Sequence, residues 1–398
     1  MRICIVPAEY KPIPPVKGGA VETIVQNFID LNEKSNDIDF TVLSVWNKDA
    51  ENACVNIRNT RFVFFNGNEK IDNIYYWLIY KIFKKYFNII LPDYILRLKM
   101  IKWVAAHQEE FDWILIEAGE IDCFKYYSKY LEPNKIIYHS HGEVKNKKRI
   151  ENYIHYYMAV SDFIRDTWRK SYPSIEKNSF TLINGINQDK FDLHMSVQDK
   201  KTIRRQYGFA DGDIVLVFVG RIIQEKGVWE LLNAMDYLPD TYKLLIIGSP
   251  NFGTKSSTSY EKKVRLKIER LKGRVKFTGY IPNEEIATYY GISDISVIPS
   301  MFNDPAPLVV IEAMAAGLPI VTTGSGGIRE YCDINCAEFV ERDEMISHSI
   351  ANKIVFLGEN EARRKEMGLY ARDKAKVFTD ENQFRKLVTY LVTIENKI

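Results

Sequence analysis

Acids, cations and glycines in this sequence gather where apolar runs end. Asp304 and Glu312 bracket the run Pro305-Ala-Pro-Leu-Val-Val-Ile311, and a helix is predicted over 308–316 with Gly317 just past its end. Pro305 and Pro307 stiffen its entry. The first N–H groups, at Leu308 and Val309, have no partner within such a helix and carry the positive end of its dipole, which makes them an anion site. Helical side chains lean toward the N-terminus, so Glu312, one turn in, reaches back over the helix start. A carboxylate there repels phosphate but accepts hydrogen bonds from sugar hydroxyls. An anion on the amides and a diol on Glu312 together describe a nucleotide; the plainer reading is two acids favoured by a helix start. Arg221 and Lys226, in Gly220-Arg-Ile-Ile-Gln-Glu-Lys-Gly227, fall between a strand end and a helix start, where two cations and free amides can hold a diphosphate, although the spacing also suits a solvated loop. Gly18-Gly19-Ala20 leads into another helix and is a weaker anion site. His141, in His139-Ser-His-Gly-Glu143, ends a strand, as a ligand-facing or a structural histidine. The His-x-His spacing suggests zinc, but no third ligand is near in sequence. His139 is expected on the other side of the pleat from His141.

The elements that must carry these residues alternate between strand and helix patterns. Strands are expected over 2–7, 40–45, 113–117, 135–139, 157–160 and 180–183, with a helix over 21–32 whose Ile24, Val25, Phe28 and Ile29 keep helical spacing. A second series starts at 214–219 and continues with strands over 243–247, 275–277, 294–299 and 319–323. Its strands end in Gly248-Ser249, in Gly279-Tyr280-Ile281-Pro282 and in the loop of Gly324 to Gly327, which can approach a ligand closely. Residues 250–260 are expected as a mobile loop, and 359–374 and 382–394 as helices. The charged stretch 188–211 lacks a strand pattern and is expected to be the linker. Repeated βαβ units imply parallel sheets with ligands at the carboxyl ends of their strands.

Composition excludes several classes. With 398 residues the length suits two to three domains, and a net charge of +2 gives no support for a nucleic-acid partner. Cys4, Cys54, Cys123, Cys332 and Cys336 are scattered and complete no zinc set, so free thiols in a reducing cytosol are expected. A strand that starts at the first residues leaves no room for a signal peptide. No apolar stretch is long and uncharged enough to span a membrane. The nearest, Ile74 to Val104, is interrupted by Lys81, Lys84, Lys85, Arg97, Lys99 and Lys102 and broken by Pro92. It reads as a helix lying in a membrane interface or as a core helix pair with its lysines in water. A dinucleotide Gly-x-Gly-x-x-Gly after the first strand and a Walker A loop are both missing from the sequence. No Asp-x-Asp near a strand end argues for a metal.

The run from Asp304 through Glu312 to Pro319 resembles the acid-x7-Glu signature of glycosyltransferase family 4, the retaining GT-B sugar-nucleotide transferases. Gly220-Arg221-x4-Lys226-Gly227, His141-Gly142 and Asn184-Gly185-Ile186 resemble further motifs of that family. The resemblance implies an α/β fold, GT-B, of two doubly wound Rossmann-like domains with a cleft between them. One would span 1–195 with a returning helix at 380–398 and face the acceptor; the other, 196–379, would bind the nucleotide sugar. It implies that Glu312 holds the ribose, Asp304 and His141 contact the donor sugar, and Arg221 and Lys226 carry the phosphates. Gly18, Gly19 and Ala20 would face the diphosphate, and Gly248, Tyr280, Ile281, Pro307, Leu308 and Val309 would complete the donor site. Asp304 stands where the family usually has Glu. No cofactor or metal is implied beyond the donor, with a UDP-sugar favoured over GDP-mannose. The implied acceptor is a glycan or lipid-linked glycan of the bacterial surface-polysaccharide type, handled in the cytoplasm at the inner membrane face. A non-catalytic sugar-nucleotide-binding partner of another transferase and a sugar-nucleotide epimerase are the competing readings. Lys226→Ala is expected to cut turnover more than stability.

Overall fold

Short β-branched and aliphatic runs, most of them buried on both faces, build two parallel sheets, as shown by a computed structural model of the chain. The structure describes residues 1–7, 11–67, 74, 78, 95–119, 124–144, 153–193, 195–250 and 258–396. It divides into one unit of Met1–Asn184 with Asp380–Ile398 and a second of Gly185–Thr379.

In the first unit, β1 (Arg2–Val6), β2 (Asp39–Val45), β3 (Thr60–Phe65), β4 (Trp113–Glu117), β5 (Ile136–Ser140), β6 (Tyr156–Ala159) and β7 (Ser179–Thr181) are arranged in the order β3-β2-β1-β4-β5-β6-β7. All pairs are parallel. The second sheet holds β8 (Ile214–Val219), β9 (Tyr242–Ile247), β10 (Val275–Gly279), β11 (Ile295–Ile298), β12 (Ile320–Thr322) and β13 (Ala337–Phe339) in the order β10-β9-β8-β11-β12-β13, again all parallel. Strand order reverses between β1 and β4 and between β8 and β11, the points where doubly wound sheets take ligands.

The apolar stripe of the Ala20–Ser35 helix (Ile24, Val25, Phe28, Ile29) is buried in the first unit's core. Phe384, Leu387, Leu391 and Ile394 of the Asp380–Glu395 helix join the same core, with the Phe28 and Phe384 rings 6.3 Å apart. Each such buried side chain contributes roughly 1.5–3 kcal/mol.

Several expectations change. The stretch 188–211 is not a linker. It holds a 3-10 turn, Gln188–Phe191, and a helix, Val197–Gln206, inside the second unit. The charges of that helix are anchors: buried Arg204 donates to the Ile292 carbonyl (2.7 Å) and Asp294 Oδ2 (2.6 Å), and Lys200 reaches Asp294 Oδ1 (3.3 Å). The units divide at Asn184/Gly185 rather than 195/196, which keeps the Phe191 ring with Tyr290, 5.9 Å away. A helix at Ser259–Arg270 begins inside the expected loop; residues 251–257 of that loop lie outside the described residues. The interfacial stretch is described only at Ile74, Leu78 and from residue 95 on. There the Ile95–His107 helix buries Leu96, Met100, Ile101 and Val104. It also buries Arg97, which sequence reading counted among the charges interrupting that stretch; its guanidinium donates to the carbonyls of Glu117 (3.3 Å) and Ala118 (2.9 Å). Among the described residues no helix is long and apolar enough to cross a membrane. Cys4, Cys54, Cys332 and Cys336 are free thiols.

Candidate functional site

Because every strand of the second sheet runs the same way, the segments after β8, β9, β10 and β11 meet at one edge. Gly220–Arg221, Gly248, Gly279–Tyr280 and Ser300–Asp304 stand there. The backbones cross closely. Gly248 N–H donates to the Gly279 carbonyl (2.8 Å), and Gly220 N–H to that of Ile247 (3.0 Å). At Gly248, with φ +143°, a Cβ would lie 1.8 Å from the Gly220 carbonyl oxygen, so only glycine fits.

Lys226 ends the 3-10 turn Gln224–Lys226, which turns into the Val228–Ala234 helix at Gly227. Gly227 has φ +73°, and a Cβ there would lie 1.9 Å from the Pro299 carbonyl oxygen. This contact holds the turn against the loop after β11. Lys226 Nζ lies 2.5 Å from Asp304 Oδ2 and 5.0 Å from the Phe302 ring centre. Asp304, 4% exposed, also accepts from Ser300 Oγ (3.3 Å), while its backbone carbonyl accepts from Gly327 N–H (2.9 Å). The structure therefore ties together two residues that sequence reading gave separate roles. Arg221 is exposed and has no side-chain partner among the described residues. Arg221→Ala is expected to leave stability within roughly 0.5 kcal/mol of wild type. It should weaken nucleoside diphosphate binding about tenfold, the size of one charge-assisted hydrogen bond. Calorimetric titration with the diphosphate beside a melting curve checks both; wild-type affinity would remove Arg221 from the site.

The Leu308–Ala315 helix starts at Pro307 with no side-chain cap. Its first intrahelical backbone bond runs from Val310 N–H to Pro307 O (3.1 Å), so among the described residues the N–H groups of Leu308 and Val309 remain open. Glu312 is half-buried one turn along, and its Oε2 accepts from the Tyr290 hydroxyl at 3.0 Å. Burial pushes the Glu312 carboxyl up to about 7, against the pull of that hydrogen bond. Tyr290, fully buried on the Asn283–Gly291 helix, was missed by sequence reading because it stands 22 residues from its partner. Tyr280 is 42% exposed and Ile281 half-buried before that same helix.

In the first unit Gly19 opens the Ala20–Ser35 helix, with Gly18 before it and Ala20 exposed. A Cβ on Gly19 would lie 1.9 Å from Oε2 of Glu22, itself buried. This helix start, expected to be a second anion site, thus faces the chain's own carboxylate.

The histidines also differ from expectation. Glu117 on β4 is in register with His139 on β5. His139 and His141, two residues apart, share one side of the pleat and do not flank it, as a period of two requires. His139 Nδ1 lies 3.0 Å and His141 Nε2 2.8 Å from Glu117 Oε2. Sequence reading found no third ligand near the His-x-His pair. The sheet supplies one from 22 residues upstream, and one ligand atom from each of Glu117, His139 and His141 lies within 4.8 Å of the others. Burial acts to raise the Glu117 carboxyl, but the two imidazoles outweigh it and hold the group at about 2, so it is ionised. Burial and the neighbouring His139 lower His141, against the pull of Glu117.

Residues 199–374 match the family model described as glycosyl transferases group 1. The match lies within the second unit and spans less than half of the chain. Arg221, Lys226, Gly248, Tyr280, Asp304 and Glu312 all fall within the matched residues, whereas Gly18–Ala20 and His141 fall outside them. Over nearly its full length the chain is similar to spore coat protein SA of Bacillus subtilis, 25% identical across 94% of this chain and 95% of that protein. The putative glycosyltransferase YtcC of the same organism is 24% identical across 97% of this chain and 86% of its own. Among solved structures, Anabaena HepE in complex with UDP superposes with a TM-score of 0.73 at 19% identity, covering 99% of this chain and 100% of that one. The HepE complex with UDP-glucose does so with a TM-score of 0.71 at 18% identity. The two-sheet α/β fold is therefore that of these structures.

Proposed function

We propose that this chain is a retaining glycosyltransferase of family 4 that moves a hexose or N-acetylhexosamine from a UDP-sugar to a glycan or lipid-linked glycan in surface-polysaccharide synthesis. The observation that carries the reading is the second sheet's carboxyl edge. It offers a free cation at Arg221, a second cation at Lys226, two open amides at Leu308–Val309 and an acid at Glu312. Cations and amides suit a leaving diphosphate, and Glu312 suits the ribose diol. The UDP and UDP-glucose held by HepE support uracil as the base. In this reading the protein's own cations stabilise the leaving group, and Asp304 and His141 contact the sugar. A cytoplasmic setting is supported by the unpaired Cys4, Cys332 and Cys336. Contact with a membrane surface is supported by Ile74 and Leu78, helical, exposed and four residues apart.

A second reading, a nucleotide-sugar-binding partner without turnover, is favoured by one observation, the pairing of Asp304 with Lys226. Melting the protein with UDP, GDP, dTDP or NAD, each without metal, tests the site. UDP is expected to stabilise, by roughly 2.7 kcal/mol at a hundredfold excess over its Kd. A shift with NAD alone, or with no nucleotide, overturns the assignment; a shift with GDP alone moves the donor to GDP-mannose. UDP-sugar consumption with a glycan acceptor then separates transferase from binder.

A further inference from the structure

Glu117 is fully buried, ionised, and takes both imidazoles on one oxygen. A carboxylate can only accept, so each ring must present an N–H to it. His139 therefore donates from Nδ1 and His141 from Nε2. His139 Nε2 is buried without a partner among the described residues. His141 Nδ1 has no partner among the described residues, and the His141 side chain is 15% exposed. The His139 ring, 4.4 Å away centre to centre, backs it.

The backbone beneath is fixed with equal care. Ala118 takes φ +48°, uncommon for alanine, and its N–H donates to the His139 carbonyl at 2.9 Å. Arg97 holds the carbonyls of Glu117 and Ala118, and the Tyr138 hydroxyl donates to that of Gly119 (3.2 Å).

We infer that Glu117 is a positioning residue: it locks His141 as the Nε2–H tautomer and so offers the Nδ1 lone pair to a hydroxyl of the sugar substrate. What His141 meets rests on the function proposed above; the lock itself does not. The ligand class follows from the tautomer. A lone pair welcomes an O–H donor and repels an acceptor-only anion, so this position takes a neutral hydroxylated group and not phosphate.

Glu117→Leu tests the lock. A leucine side chain keeps the volume and accepts nothing, so neither ring has a partner that holds its N–H toward residue 117. The measurement is imidazole nitrogen NMR on the whole chain, beside steady-state UDP-sugar turnover. Wild type is expected to show His141 neutral and protonated on Nε2. The variant is expected to mix or reverse His139 and His141 tautomers and to lose about tenfold or more in kcat, as when a partner that orients a histidine is removed. KM for the donor should move far less, and Glu117→Asp, still acceptor-only, should recover part of kcat. Wild-type His141 protonated on Nδ1 or on both nitrogens overturns the lock even if no variant folds. So do unchanged tautomers in the leucine variant. Added Zn2+ that shifts both histidines at stoichiometric amounts overturns it in favour of a metal centre. Wild-type turnover in His141→Ala overturns the sugar contact, while the NMR still decides the lock.

Discussion

Lys226→Met is expected to lower turnover by roughly 100- to 1000-fold, as when one donor to developing charge is lost. The same change should cost about 3 kcal/mol of stability, because it leaves a buried carboxylate without its partner. The second effect was invisible in the sequence, which gave Lys226 to phosphate alone. In the structure its Nζ lies 2.5 Å from Asp304, and among the described residues only Ser300 Oγ, at 3.3 Å, is a further side-chain donor to that oxygen. Lys226→Met with Asp304→Asn removes both charges, and should return most of the stability while leaving turnover low. Denaturant melts of the four chains form a double-mutant cycle, with an expected coupling above about 1 kcal/mol. Additive single effects would show that the pair is incidental. Recovered turnover in the double variant would take Lys226 out of the phosphate site.

Glu312→Gln is expected to make the protein more stable and bind nucleotide worse. The Glu312 carboxyl titrates at about 7 in the fold against an ordinary 4.5, so the native state holds its proton more tightly than the unfolded chain does. Stability from this group is therefore fully present below about 4.5, falls as pH rises through 7, and levels off above. At 1.36 kcal/mol per pH unit, ionising it in place costs up to about 3 kcal/mol at pH 8. The glutamine variant should escape that cost at pH 8 and match wild type near pH 4, while its carbonyl still accepts from Tyr290. UDP affinity should fall by roughly 1–3 kcal/mol as accepted ribose hydrogen bonds are lost. A UDP analogue lacking the 2′-hydroxyl should bind both proteins more nearly alike. Wild-type UDP affinity should rise between pH 6 and 8 as the carboxylate forms. A glutamine variant no more stable at pH 8, or one that keeps full UDP affinity, would contradict the burial or the ribose contact respectively.

Strands such as Ile214–Val219 and Trp113–Glu117 were legible because parallel strands covered on both faces are continuous apolar runs. The Leu308 helix start was legible because its prolines and glycine punctuate it locally. The Ser259–Arg270 helix was not: it buries only Glu261 and Val264, too narrow a stripe to give a period. Neither were the pairs that tune the site. Lys226 with Asp304, Tyr290 with Glu312 and Glu117 with the two histidines join residues that only sheet register and loop packing bring together. A charge at a strand end is visible in a sequence, but its partner on the neighbouring strand is not. That is why Glu117 read as one more strand residue and Arg97 as one more charge interrupting an apolar stretch.

The return of the Asp380–Glu395 helix to the first unit has a consequence for how the chain is made. Phe384, Leu387, Leu391 and Ile394 belong to the core that β1, β2 and the Ala20–Ser35 helix begin. A ribosome adding roughly 5–20 residues per second must add all of 185–379 before those side chains exist. The unit begun first must therefore close last. Throughout that interval it carries an uncovered apolar strip along the Ala20–Ser35 helix, a surface on which a chaperone would bind and aggregation would start.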